Sequence, residues 1–188
     1  KIERASDGSW YVSGRFEGIN GHVSPHIAHL TTDFEVDTDF VSPFFYESIC
    51  CGLHTEMKLL DSQDRMWFSG DKMKLASNPD DELALVRLLP DGTVDPDFQT
   101  GRIETFYPVG WLIKPSLVSV VVETDFEDGI YFIGGTFSHY NDTAQPCISA
   151  LDDHGHIQEN FFNNQGATYN SPNYQDLTEL DAPGVKAI

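Results

Sequence analysis

One phrase recurs three times in this sequence, and recurrence decides architecture before any local reading can begin. The copies open on Trp10-Tyr11-Val12-Ser13-Gly14, Met66-Trp67-Phe68-Ser69-Gly70 and Tyr131-Phe132-Ile133-Gly134-Gly135. A polar loop follows, then a short apolar run: Ile27-Ala28-His29-Leu30, Leu85-Val86-Arg87-Leu88 or Ile148-Ser149-Ala150-Leu151. An acidic turn then leads to Phe40, Phe98 or Phe161, each 10 residues after its leucine. From Gly14, Gly70 and Gly135 to the same leucines the spacing is 16, 18 and 16 residues. Trp10, Trp67 and Tyr131 are read as matched positions in the core of the three copies. Offsets held this tightly mark one supersecondary unit used three times.

Copy three shows the unit in full. The Val-rich run Leu117–Glu123 reads as a strand covered on both faces. Asp128-Gly129 supplies a tight turn, and residues 130–133 return as a second strand. Residues 138–146 carry the polar and breaker residues of a surface loop. Residues 147–151 form a third strand, Asp152-Asp153-His154-Gly155 a second turn, and residues 156–162 a fourth strand placing Phe161 in the core. Gly8, Asp64 and Gly129 each stand 6 residues before the anchor glycine. Glycine and aspartate suit the left-handed backbone such a turn requires. Copy two has two extra loop residues, and Met73 is expected where the others carry Phe16 and Phe137. Within residues 48–61, a strand matching Leu117–Glu123 is favoured over a helix. The expectation is a single all-β domain over residues 1–188, with four-stranded antiparallel units at about 7–40, 63–98 and 127–162. Residues 163–188 then form a linker and a strand (177–180) that completes the first unit.

Composition narrows the function. The formal net charge is -19, which repels nucleic acid and anionic lipid alike. No apolar run approaches the roughly 20 residues of a membrane helix, so membrane insertion is not expected. Three cysteines, two of them adjacent (Cys50, Cys51), do not make a disulfide framework. Free, mostly buried thiols and folding in a reducing cytoplasm are expected instead. Lys1 falls inside a repeat, so the chain is expected to be a piece of a longer protein or to have ends that are not ordered.

The phrases Gly134-Gly135-Thr136-Phe137, Ser13-Gly14-Arg15-Phe16 and Gly92-Thr93-Val94-Asp95-Pro96-Asp97-Phe98 resemble the delta-60 repeat, a β-propeller-type repeat. The resemblance covers more than half the chain and implies four-stranded blades. Three copies fall short of the usual ring of about 4 or more blades, so other segments or subunits are expected to complete it. Such repeats occur in bacteriophage tail and virion proteins and in bacterial surface proteins. The resemblance thus implies a structural or binding module of a tail fibre or baseplate, located in the virion, displaying loops for host attachment or subunit assembly. Implied partners are other virion subunits, in a homo-oligomer such as a trimer, and cell-surface glycans. The alternative is a secreted bacterial carbohydrate-binding or carbohydrate-active surface protein.

Candidate chemistry is sparse. Asp33, Asp37, Asp91 and Asp95 alternate along the acidic turns, as calcium ligands would, but Asp is also the preferred turn residue, and calcium is the lesser reading. His22, His26, His29, His54, His139, His154 and His156 are read as surface or loop residues rather than metal ligands. No nucleophile elbow, phosphate loop or zinc-protease motif is present, so no catalytic residue is assigned, although a two-carboxylate glycosidase remains compatible with the composition. Tyr46, Tyr107, Trp111 and Tyr140, with Tyr169 and Tyr174, fall in linkers or loops. There aromatic rings either cap the core or stack on sugars and partner pockets; the first four are the binding candidates. The structural repeat core comprises Trp10, Gly14, Leu30, Phe40, Trp67, Gly70, Leu88, Phe98, Tyr131, Gly135, Leu151 and Phe161.

Overall fold

A computed structural model describes residues 1–45, 55–104, 117–125 and 129–161. Two compact units are distinguished, Lys1–Thr100 and Gly101–Ile188. The first unit holds β1 (Ile2–Arg4), β2 (Trp10–Ser13), β3 (Gly18–Ile19), β4 (His22–Val23), β5 (Ile27–Leu30), β6 (Glu56–Leu60), β7 (Met66–Leu75) and β8 (Asn78–Leu88). The second holds β9 (Ile103–Glu104), β10 (Leu117–Glu123), β11 (Tyr131–Thr136), β12 (His139–Tyr140), β13 (Thr143–Ala144) and β14 (Ile148–Leu151). Among the described residues there is no helix, and every strand pair is antiparallel.

Each copy builds one blade with the same strand order: β1-β2-β5, β6-β7-β8 and β10-β11-β14. The segment expected as a fourth strand joins each sheet through a single bridge, Leu30 to Val36, Leu88 to Val94 and Leu151 to Ile157. The second turn folds back too tightly for a longer ladder. In all three copies the backbone N–H of the left-handed turn residue donates to the carbonyl three residues earlier: Phe34 to Thr31, Gly92 to Leu89 and Gly155 to Asp152. The first turn is equally uniform. Gly8, Asp64 and Gly129 all have positive φ, at 93°, 58° and 76°.

The polar loop is more ordered than expected. In copies one and three it is a two-residue hairpin, β3–β4 and β12–β13, turning on Asn20-Gly21 and Asn141-Asp142, all with positive φ. The flanking bonds match as well. Gly14 and Gly135 donate to the carbonyls of His26 and Cys147, which donate in turn to those of Phe16 and Phe137. In copy two the extra residues merge into the long hairpin β7–β8, and Met73 is buried there as Phe137 is in copy three.

The register corrects one alignment. The partners of Leu30, Leu88 and Leu151 are Trp10, Met66 and Tyr131. Trp67 therefore corresponds to Tyr11 and Phe132, one residue further on. Side chains alternate across a strand, so this shift places Trp67 on the opposite face from Trp10 and Tyr131. With that alignment an aromatic pair recurs: Tyr11 meets Phe40 at 6.1 Å, Trp67 meets Phe98 at 4.8 Å and Phe132 meets Phe161 at 5.5 Å between centroids. Phe161 itself is half-buried rather than fully in the core.

In the first unit the core lies between blades one and two. Tyr11, Ile27, Phe40 and Phe44 cluster with Met57, Met66, Phe68, Val86 and Leu88, and Phe44 sits 4.8 Å from Phe68. The blades also meet at their turns. The Ser6 backbone N–H donates to Asp64, and the Tyr11 hydroxyl donates to the Pro90 carbonyl at 2.8 Å. In the second unit Val118, Val121, Tyr131, Ile133 and Leu151 are buried, and β10 steps past β11 through an irregularity between Val118 and Val120.

Gly135 occupies that step, where an added Cβ would lie 1.9 Å from the Leu117 carbonyl oxygen. Backbone cannot yield as a side chain can, so Gly135→Ala is expected to cost about 3 kcal/mol. Urea denaturation should show a lower midpoint; a variant as stable as wild type would disprove the close approach.

Candidate functional site

Three of the four aspartates considered as calcium ligands have partners within the fold. Asp37 and Asp95 both lie seven residues after the anchor leucine and turn toward the residue preceding it. Asp37 Oδ2 is 2.8 Å from His29 Nδ1, and Asp95 Oδ2 is 2.8 Å from Arg87 Nη2. The Arg87 guanidinium is buried, stacked over Trp67 and Phe98 at 5.2 and 4.8 Å. Asp91 accepts from the N–H and hydroxyl of Thr93, a turn-capping role that holds its carboxyl below the usual range. Asp33 is exposed. Among the described residues no group of three or more His, Cys, Asp and Glu side chains could hold a metal ion.

Tyr140, one of the aromatic binding candidates, is buried, and its hydroxyl donates to the Gly155 carbonyl. Burial pushes its pKa upward; it caps the core instead of meeting solvent. Tyr46, Tyr107, Trp111, Tyr169, Tyr174, His54, Cys50, Cys51 and the closing segment 163–188 lie outside the described residues. Cys147 is free and buried, as expected, with its thiol pushed up by burial. His26 departs from expectation. It is buried with φ 66°, edge-on to Phe44, and its pKa is lowered by burial.

Residues distant in sequence converge around His29. Ser9 Oγ is 2.8 Å from His29 Nε2, and Asp37 is on the other ring nitrogen. These are the spacings of a serine nucleophile and its base. Ser9, however, is only 4% exposed, and its hydroxyl donates to Asp7 at 2.6 Å while its N–H donates to the same oxygen at 2.9 Å. A carbonyl carbon has no approach to an oxygen so enclosed. The four side chains instead tie the first turn of blade one to its second. Hydrogen bonding to Ser9 holds the Asp7 carboxyl below its usual range, and hydrogen bonding to His29 does the same for Asp37.

The unusual surface is the opposite face of blade one, which carries Ile2, Arg4, Trp10, Val12, Ala28 and Leu30. The matching face of blade two includes Met66, Phe68, Val86 and Leu88, and that of blade three Tyr131, Ile133, Ser149 and Leu151; all of these are fully buried. On blade one Trp10, Val12 and Leu30 are half-buried, and Ile2 is 65% exposed. Phe34 extends this face. It is 64% exposed and stacks on Trp10 at 5.7 Å with an interplanar angle of 24°, while the Arg4 guanidinium lies over the Trp10 ring, 5.7 Å from its centroid. Phe34 also has φ 64°, at the turn position where the other copies have Gly92 and Gly155. A bulky L-residue in that conformation costs about 1–2 kcal/mol. An exposed ring is thus held at a strained position where glycine serves elsewhere in the same chain. Sequence reading passed over it because Thr32-Asp33-Phe34-Glu35 reads as an ordinary acidic turn; Phe34 against Gly92 and Gly155 in the aligned copies is the signal that finds it.

Residues 5–40 and 76–98 match the family described as "Domain of unknown function (DUF5122) beta-propeller". The matches span copy one and the later part of copy two. No curated protein and no solved structure matches the chain. Together with the recurring sheets, the family match supports a β-propeller-type repeat.

Replacing Phe34 with glycine relieves the backbone but removes the stack on Trp10, worth about 0.5–1.5 kcal/mol. Phe34→Gly should therefore stay within about 1 kcal/mol of wild type, whereas Phe98→Ala should lose about 3–5 kcal/mol. Equal losses in urea melts would refute the assignment of Phe34 to the surface. Acid should act through the depressed carboxyls. Their stabilisation is complete above the unfolded value of about 4 and is lost as pH falls through the lower folded values. Asp37→Asn should lower stability at neutral pH and flatten the decline in melting temperature below about pH 4; an unaltered acid decline would refute the His29 contact.

Proposed function

We propose that this chain is a non-enzymatic structural module of a multi-subunit assembly, with the outward face of blade one as its attachment surface. Phe34 carries the reading: a strained, solvent-exposed ring on a half-covered apolar blade face has the composition of an interface core, rich in aromatics with Arg present. The Gly-Gly-x-Phe and Asp-Gly-x-x-Asp-x-x-Phe phrases support taking the repeats as delta-60 repeats, and hence the assembly as a bacteriophage virion part such as a fibre or baseplate. The net charge of -19 fits a module that stays apart from nucleic acid and anionic membranes.

A second reading rests on the same stack. Trp10 and Phe34 present the kind of aromatic surface on which a sugar face lies, which would make the chain a glycan-binding surface protein. An oligosaccharide array read together with a reducing-end assay separates the two. The assembly reading expects no binding that depends on Phe34 and no release of sugar. Binding lost in Phe34→Gly would transfer the conclusion to the glycan reading. Release of reducing sugar, abolished by a single Asp or Glu substitution, would overturn the non-enzymatic reading.

A further inference from the structure

An asparagine followed by glycine carries its own nucleophile. The backbone nitrogen of the glycine can attack the asparagine side-chain carbonyl, provided that nitrogen is uncrowded and not committed to a hydrogen bond. Among the described residues three glycines follow an asparagine or aspartate, and their hydrogen bonds sort them. The Gly8 N–H, after Asp7, donates to the Ala5 carbonyl at 3.0 Å, and the Gly92 N–H, after Asp91, donates to the Leu89 carbonyl at 2.9 Å. Gly21, after Asn20, differs: its N–H makes no hydrogen bond among the described residues, and both residues are exposed. No atom lies within 4 Å of where a Gly21 Cβ would stand.

The other described asparagines are closed to this chemistry. Asn78 precedes Pro79, which has no N–H to lose. The N–H after Asn160 is that of Phe161, which donates to the Gln158 carbonyl at 3.3 Å. Asn141 occupies the matching turn of copy three, but Arg102 holds it twice. The Asn141 side-chain carbonyl accepts the Arg102 N–H at 2.8 Å, and the Asn141 N–H donates to the Arg102 carbonyl at 2.9 Å. The two hairpins have matching backbone bonds at their base. They differ in that β12 is flanked by both β13 and β9, whereas β3 and β4 pair only with each other, over two residue pairs. The tip of so short a two-stranded hairpin opens locally at little cost. Opening frees Asn20 from its left-handed conformation, φ 51°, to bring Cγ onto the Gly21 nitrogen.

We infer that Asn20–Gly21 is a self-modifying site whose only co-reactant is water. Base removes the Gly21 amide proton and the nitrogen bonds to Asn20 Cγ. The bond from Cγ to Nδ2 breaks, and ammonia leaves with a proton taken from water. Water then opens the five-membered imide. Cleavage at Cγ leaves aspartate; cleavage at the main-chain carbonyl leaves isoaspartate, with the backbone running through Cβ and Cγ. Either product carries one more negative charge, and the second lengthens the turn by one carbon. This chemistry proceeds whatever the Trp10–Phe34 face attaches to.

Ageing the whole folded chain in mildly alkaline buffer at body temperature, followed by peptide mapping and an isoaspartate methyl-acceptor assay, tests this. Wild type is expected to convert Asn20 about tenfold or more faster than Asn141. Aspartate and isoaspartate should both appear at position 20, at a rate that rises with pH. Gly21→Ala, whose methyl group meets open space at a strained φ of 82°, keeps the fold and slows conversion several-fold by crowding the nitrogen. An Asn20 rate no greater than that of Asn141, or one unchanged by Gly21→Ala, overturns the inference. A rate insensitive to pH, or aspartate as the sole product, marks direct hydrolysis of the side-chain amide and overturns it as well. Should Gly21→Ala fail to fold, the comparison of Asn20 with Asn141 in wild type decides.

Discussion

A sheet of three short strands has two faces and no means of covering either by itself. Blade two is the clearest instance: Met66, Trp67, Phe68 and Ser69 are successive residues of one strand, pointing alternately to opposite sides, and all four are buried. Burying one such apolar side chain contributes about 1.5–3 kcal/mol, so much of the stability of a blade lies in what is laid against it. On the Trp10–Leu30 face of blade one that requirement is left partly unmet.

Acidic residues answer the complementary need at the turns. Asp7, Asp61, Asp91 and Asp152 each accept a hydrogen bond from the N–H two residues ahead, so one carboxylate serves a tight turn in copy after copy. Local hydrogen bonding of this kind is why Asp is favoured in turns. The same device reaches inward at Asp37 and Asp95, where an identical backbone position is used to hydrogen-bond His29 in one copy and to pair with buried Arg87 in the next. Copy three has Ala150 and Gln158 at those places and keeps only the backbone bond between them. Part of the high negative charge is thus a by-product of building similar turns again and again.

Much of the architecture was legible in the sequence. Anchor glycines, leucines and phenylalanines, the left-handed residues of the first turns, the strand at Leu117–Glu123 and the compensating Met73 all follow from spacing and local backbone preference. The misplacement of Trp67 has a simple cause. Aromatic identity was matched where register should have been, and in a strand one residue is the difference between two faces. The expected fourth strand shrank to one bridge because strand length depends on how sharply a turn closes. Tyr140 looked like a loop aromatic, yet the loop is a hairpin folded over its ring.

The candidate face was hidden for a different reason. Residue spacing determines which side chains share a side of a strand, because alternation is a property of the local backbone, and it determines which turns need glycine or aspartate. It carries no record of what lies against each side. Trp10 and Tyr131 occupy equivalent places in equivalent sheets, and only the packing of the chain leaves the first half-covered and the second buried. Phe34 is likewise an unremarked residue until the turn around it is seen to require the conformation that glycine adopts without cost.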